Sequence, residues 1–246
     1  MAPTILNPQT LPFNDNVNNY SFCFDLAQPW FTRKGAMIAY YGTANFEALG
    51  VTSMKALVAS RFSSPLYAND WVVVSGQGKV IIGDRGYDIN SYDLEAGNLT
   101  IRASNLLGFE MGLELKQSIV PGFLTLIGTG KFLASSNGPV MFAEPPLRVD
   151  PQALVGWADT PAPSHHFDAE WMSSFLSAAA GFFGMDSGEE RQFDFTGTGT
   201  VLLQSSEQPR EDPALVRQLE SQLHGLNQGG LTHLQSTIQS KLMSQQ

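Results

Sequence analysis

A chain of 246 residues with 14 Lys and Arg against 23 Asp and Glu carries a net charge of −9, which repels phosphate backbones unless a local basic patch overrides it. The sequence has no such patch, and nucleic acid is excluded as a partner. One cysteine, Cys23, rules out an intrachain disulfide, and no Cys/His cluster has zinc-finger spacing, which together point to a reducing, cytoplasmic setting.

Residues 1–19 form an N-terminal extension of Pro, Asn and Gln character, lacking the basic and apolar regions of a signal peptide. A first β-unit is expected over 20–86. It opens on Tyr20-Ser21-Phe22-Cys23-Phe24, whose alternation predicts a strand in which Cys23 is a small core residue. It closes on Val72-Val73-Val74-Ser75-Gly76-Gln77-Gly78-Lys79-Val80-Ile81-Ile82, an apolar alternation, a Gly-x-Gly and a second apolar run.

The same phrase returns twice. The second β-unit, 87–138, contains Leu124-Thr125-Leu126-Ile127-Gly128-Thr129-Gly130-Lys131-Phe132-Leu133-Ala134, and the third, 139–206, contains Phe193-Asp194-Phe195-Thr196-Gly197-Thr198-Gly199-Thr200-Val201-Leu202-Leu203. Repetition of one phrase indicates copies of one supersecondary unit. The six glycines Gly76, Gly78, Gly128, Gly130, Gly197 and Gly199 read as structural, allowing the strand to bulge or to approach a neighbouring backbone closely. Upstream, Asp25–Ala39 can be laid on Asp93–Leu107 and on Arg148–Asp159, each read as strand, Pro/Gly turn, strand. In the second unit Met111, Leu113 and Leu115 alternate with Gly112, Glu114 and Lys116. Many short strands with frequent turns predict an all-β chain of the β-sandwich or double-stranded β-helix type.

Two segments break this rhythm. Within the third unit, residues 171–185 place Trp171, Phe175, Ala179 and Phe182 or Phe183 on one helical face, so a helical or hairpin insertion is expected there. Over 207–246, Asp212 and Pro213 can start a helix, and the stripes Leu215, Leu219, Leu223, Leu226 and Leu231, Leu234, Ile238, Leu242 flank Gly229-Gly230. Two amphipathic C-terminal helices are expected. The longest strongly apolar stretch, Trp171 to Met185, is shorter than the roughly 20 residues a spanning helix requires.

With the repeats, the phrase Phe193–Gly199 and the aromatic-glycine insertion before it, the chain resembles the bacterial branch of the altered inheritance of mitochondria protein 24 family over residues 20 to 206. The resemblance implies a TRAP-like fold, β-rolls similar to the subunit of the tryptophan RNA-binding attenuation protein, duplicated within one chain. It also implies an association with mitochondrial inner-membrane organisation in eukaryotic relatives. It brings no catalytic residues, and the acidic balance opposes transfer of an RNA site.

Chemical motifs are sparse. Gly128-Thr129-Gly130-Lys131 has the look of a phosphate loop, but Thr125 stands where the first glycine is required and Phe132 where a magnesium-holding Ser or Thr belongs. His165, His166, Asp168 and Glu170 form the densest set of potential metal ligands or acid–base groups; the competing reading is a polar loop. No cofactor is expected. The interaction surface is assigned to Trp171, Phe175, Leu176, Phe182 and Phe183, whose aromatic character without Lys or Arg favours subunit contact over lipid. The function expected is that of a non-enzymatic, homo-oligomeric scaffold or adaptor with an unidentified protein partner and a potential for peripheral membrane contact. The alternative is a small-ligand or metal-binding sensor or enzyme using a cleft between β-units.

Overall fold

The computed structural model describes residues 6–49, 62–63, 70–118, 120, 122–158, 162–163 and 193–206. The insertion at 171–185, the His165–Glu170 cluster and the C-terminal segment 207–246 lie outside the described residues. Sixteen strands are found among those described. The first group is β1 (Asp15–Asn18), β2 (Ser21–Asp25), β3 (Trp30–Arg33), β4 (Met37–Ala48), β5 (Phe62–Ser63) and β6 (Trp71–Gly83). The second is β7 (Asp88–Arg102), β8 (Leu106–Glu110), β9 (Leu113–Gln117) and β10 (Phe123–Ser136). The third is β11 (Val140–Ala143), β12 (Leu147–Val149), β13 (Leu154–Ala158), β14 (Ala162–Pro163), β15 (Phe193–Thr196) and β16 (Thr200–Gln204).

Register reveals three copies of one antiparallel unit. In each, a glycine-containing strand lies in the middle: β6, β10, and β15 with β16. A first limb runs along one of its edges, formed by β2 and β3, by β7, and by β11 and β12. A second limb runs along the other edge, formed by β4, by β8 and β9, and by β13 and β14. Both limbs pair first with the half of the glycine strand that follows Gly-x-Gly, then with the half that precedes it. The glycines therefore mark the fold line of every unit. Around them β6 and β10 stay continuous, whereas in the third copy the halves separate into β15, in a 3-stranded sheet, and β16, in a 13-stranded sheet.

Alternation before the glycines works as expected at Val74, Leu124, Leu126 and Phe195, all buried, with Asp194 exposed. Three expectations change. Tyr20–Phe24 does not alternate between core and water, because Phe22 and Phe24 enter one core cluster with Trp30, Val74 and Val80, while Cys23 enters another with Leu11 and Ile81. The strand is buried on both faces. The turn expected inside Asp93–Leu107 is a bulge within one continuous strand: Ala96 takes φ 48° and the register shifts opposite Gly128 and Gly130. The third copy of that segment begins before Arg148 and ends at Gly156, since Leu147 faces Phe195 as Trp30 faces Val74, and Leu154 faces Leu203 as Met37 faces Ile82. All three copies of the segment run from the end of the first limb, across a turn, into the start of the second.

Candidate interaction surface

The Gly-x-Gly segments are structural junctions. All six glycines have positive φ, from 89° at Gly197 to 156° at Gly130. At Gly78, with φ 124°, a Cβ would stand 1.9 Å from the Tyr41 carbonyl oxygen, so both conformation and space demand glycine. Lys131 after Gly130 makes no phosphate cradle: it lies mid-strand, its Nζ 3.0 Å from Asp93 Oδ2, and its N–H donates to Glu110 Oε2 at 2.8 Å.

Copies are joined edge to edge. The end of the first limb of one copy pairs with the start of the second limb of the next, β3 with β8 through Trp30↔Glu110, Phe31↔Phe109 and Thr32↔Gly108. The next joint repeats this, β7 with β13 through Leu99↔Ala158, Thr100↔Trp157 and Ile101↔Gly156. An arginine closes each joint. Arg33 Nη2 donates to the Ala103 carbonyl at 2.7 Å, and Arg102 donates to the carbonyls of Leu154, at 3.0 Å, and Pro151. The Arg102 guanidinium also lies 5.0 Å from the centre of the Phe123 ring, a favourable cation–π placement. At the first joint the rings of Phe31 and Phe109 stack at 4.7 Å.

A buried polar group ties the second copy to the third. Asn105 Nδ2 donates to the Ser135 carbonyl at 2.8 Å and to Gln204 Oε1 at 3.4 Å, while Gln204 Nε2 donates to the Gln152 carbonyl at 2.9 Å. Ser135 Oγ donates in turn to Asp84 Oδ2. Buried amides are satisfied in this way or they cost stability. Burial pushes the Cys23 thiol above its ordinary range and the Tyr92 phenol up to about 12. Neither shift produces a reactive anion near neutral pH, and Cys23 behaves as a core residue.

Large apolar side chains are exposed singly at Leu6, Phe13 and Tyr20, and as neighbours within two strands. Met37, Ile38 and Tyr40 on β4 are 43%, 59% and 47% exposed, and Met141 and Phe142 on β11 are 49% and 57% exposed. Phe142 packs edge-on against Tyr92 at 5.2 Å. Sequence reasoning overlooked both patches, although two aromatic or long apolar residues in succession within each strand were the available signal. The interaction residues chosen from sequence, Trp171, Phe175, Leu176, Phe182 and Phe183, and the weak metal candidates His165, His166, Asp168 and Glu170, fall outside the described residues. Among the described residues, no group of three His, Cys, Asp or Glu side chains is placed to hold a metal ion, and no helix is long and apolar enough to cross a membrane.

A triplicated antiparallel β-unit with merged sheets and glycine fold lines defines an all-β repeat protein. The chain belongs to the mitochondrial biogenesis AIM24 family, whose pattern it matches over residues 23–206. Its fold is similar to the crystal structure of a Streptococcus pyogenes protein from a structural genomics consortium, with a TM-score of 0.51 and 15% sequence identity, covering 85% of this chain and 96% of that one. No curated protein matches the sequence significantly.

Proposed function

We propose that this chain is a non-enzymatic cytoplasmic scaffold or adaptor that acts by self-association and by contacts with proteins or a membrane surface. The observation that supports this reading is the exposure of Met37, Ile38 and Tyr40 on β4. These are large apolar side chains close together at the start of one strand, where an isolated subunit keeps them in water at a cost and a contacting surface removes that cost. A lone, buried Cys23 is compatible with a reducing compartment. Native mass spectrometry of the purified protein tests the reading directly. The expected result is a mass several times that of one chain; a single-chain mass, together with failure to float with liposomes, overturns it.

A further inference from the structure

The two internal joints predict a third. Each joins the end of a first limb to the start of a second limb, and the terminal copies leave one of each without a strand partner among the described residues. The start of β4 pairs only with β6, and β12 pairs only with β15. Given the self-association proposed above, we infer that β12 of one molecule pairs with the start of β4 in a second copy, repeating the internal joint between molecules.

Burial at equivalent positions carries the inference. Opposite the glycine strand, Met37, Leu106 and Leu154 are equivalent, as are Tyr40, Phe109 and Trp157, because they face Ile82, Ala134 and Leu203, and Val80, Phe132 and Val201 respectively. In every copy the second limb skips one residue between these positions: Ile38, Leu107 or Val155. Leu107 and Val155 are 1% and 0% exposed, whereas Ile38 is 59% exposed. Leu107 belongs to the second copy but packs into the core cluster of Phe22, Phe24 and Trp30 in the first. Ile38 is the same insert with no preceding copy among the described residues to receive it.

The internal register transfers residue by residue. Trp30, Leu99 and Leu147 all lie opposite the residue two before the first glycine, namely Val74, Leu126 and Phe195. Across the new joint, Leu147 therefore faces Tyr41, Arg148 faces Tyr40 and Val149 faces Ala39. Arg148 over Tyr40 replaces the stacked Phe31 and Phe109 with a cation–π pair. Ala39 stands where the internal joints have Gly108 and Gly156. A Cβ would lie 3.1 Å from the Phe31 carbonyl oxygen at Gly108 but 2.4 Å from the Thr100 carbonyl oxygen at Gly156, so alanine at this position requires the incoming strand to stand further off than it does at the second internal joint.

Charge changes in a matched way. Where Arg33 and Arg102 reach the carbonyls of Ala103 and Pro151, the third copy has Asp150, and the residue equivalent to Ala103 and Pro151 in the first copy is Lys34. Asp150 and Lys34 meet across the joint as opposite charges. Because the two edges differ, the contact is head-to-tail, and such contacts build rings or filaments.

Site-directed crosslinking tests the register. Directly opposed residues of antiparallel strands have Cα atoms about 4.5–5.5 Å apart, within the span of a disulfide. Full-length Tyr40→Cys and Arg148→Cys proteins, purified separately, mixed and gently oxidised, should give a covalent heterodimer, while each alone should give none; Cys23 is buried and does not compete. Adding Ile38→Glu to the Tyr40→Cys protein should abolish the product. Lys34→Asp should lower the assembled fraction, and combining it with Asp150→Lys should restore it. Absence of the mixed crosslink, or homodimers from either single variant, overturns the joint. If native mass still shows a multimer in that case, self-association stands and only this edge pairing falls; a single-chain mass removes both the joint and the self-association on which it rests.

Discussion

Gly78 shows what a single residue contributes to this fold. Its φ of 124° and the 1.9 Å gap between a would-be Cβ and the Tyr41 carbonyl oxygen penalise any side chain twice. Gly35 has φ 80° but nothing within 4 Å of a Cβ. Gly35→Ala should therefore cost about 1 kcal/mol, from backbone strain alone. Gly78→Ala should cost about 3 kcal/mol or more, because β4 and β6 must also move apart. Urea titration of both variants checks the ordering, and equal losses would show that the close approach to Tyr41 is not what selects glycine.

At the scale of elements, the joints between copies are built from both backbone pairing and ring contact. Phe109 meets Phe31 at 4.7 Å and Trp71 at 5.4 Å, and both phenylalanines are fully buried. Phe31→Ala and Phe109→Ala should each destabilise by about 3–5 kcal/mol, with a coupling of about 1 kcal/mol in a double-mutant cycle. Zero coupling would mean that the strands hold the joint without the stacked pair. The glycine strands were legible in the sequence because three copies kept the phrase itself, and period-two burial at Val74, Leu126 and Phe195 followed from it. The limbs were less legible. Strand-turn-strand occurs both within the first limb and across its junction with the second, so the third copy was laid a few residues out of place at Arg148–Asp159, and only register corrects it. The exposed edge at Ile38 was hidden for a related reason: its apolar character suits a core position, and only comparison with Leu107 and Val155 shows that its cover is missing.

For the whole described β body, the copies do not own separate cores. The cluster around Phe22, Phe24 and Trp30 includes Ile89, Leu107 and Leu133 from the second copy, and Asn105 in the second copy shares its amide bonds with Gln204 in the third. Interlocked cores unfold together. Denaturant curves followed by the fluorescence of a Trp171→Phe protein, which reports on Trp30, Trp71 and Trp157, should coincide with those followed by far-ultraviolet circular dichroism. Separated midpoints would reveal copies that melt independently.

The residue skipped in every second limb, at Ile38, Leu107 and Val155, has a consequence for how such a protein can change size. An irregularity reproduced at the same place three times is inherited with the unit, and so is the fit of that unit to its neighbours. An additional copy spliced into the turn after Ser136 would arrive with its own insert, its own acceptor core and its own pair of edges. Chain length could grow by whole modules while the outermost faces stayed as they are, which makes copy number a variable that duplication can alter without inventing a new contact.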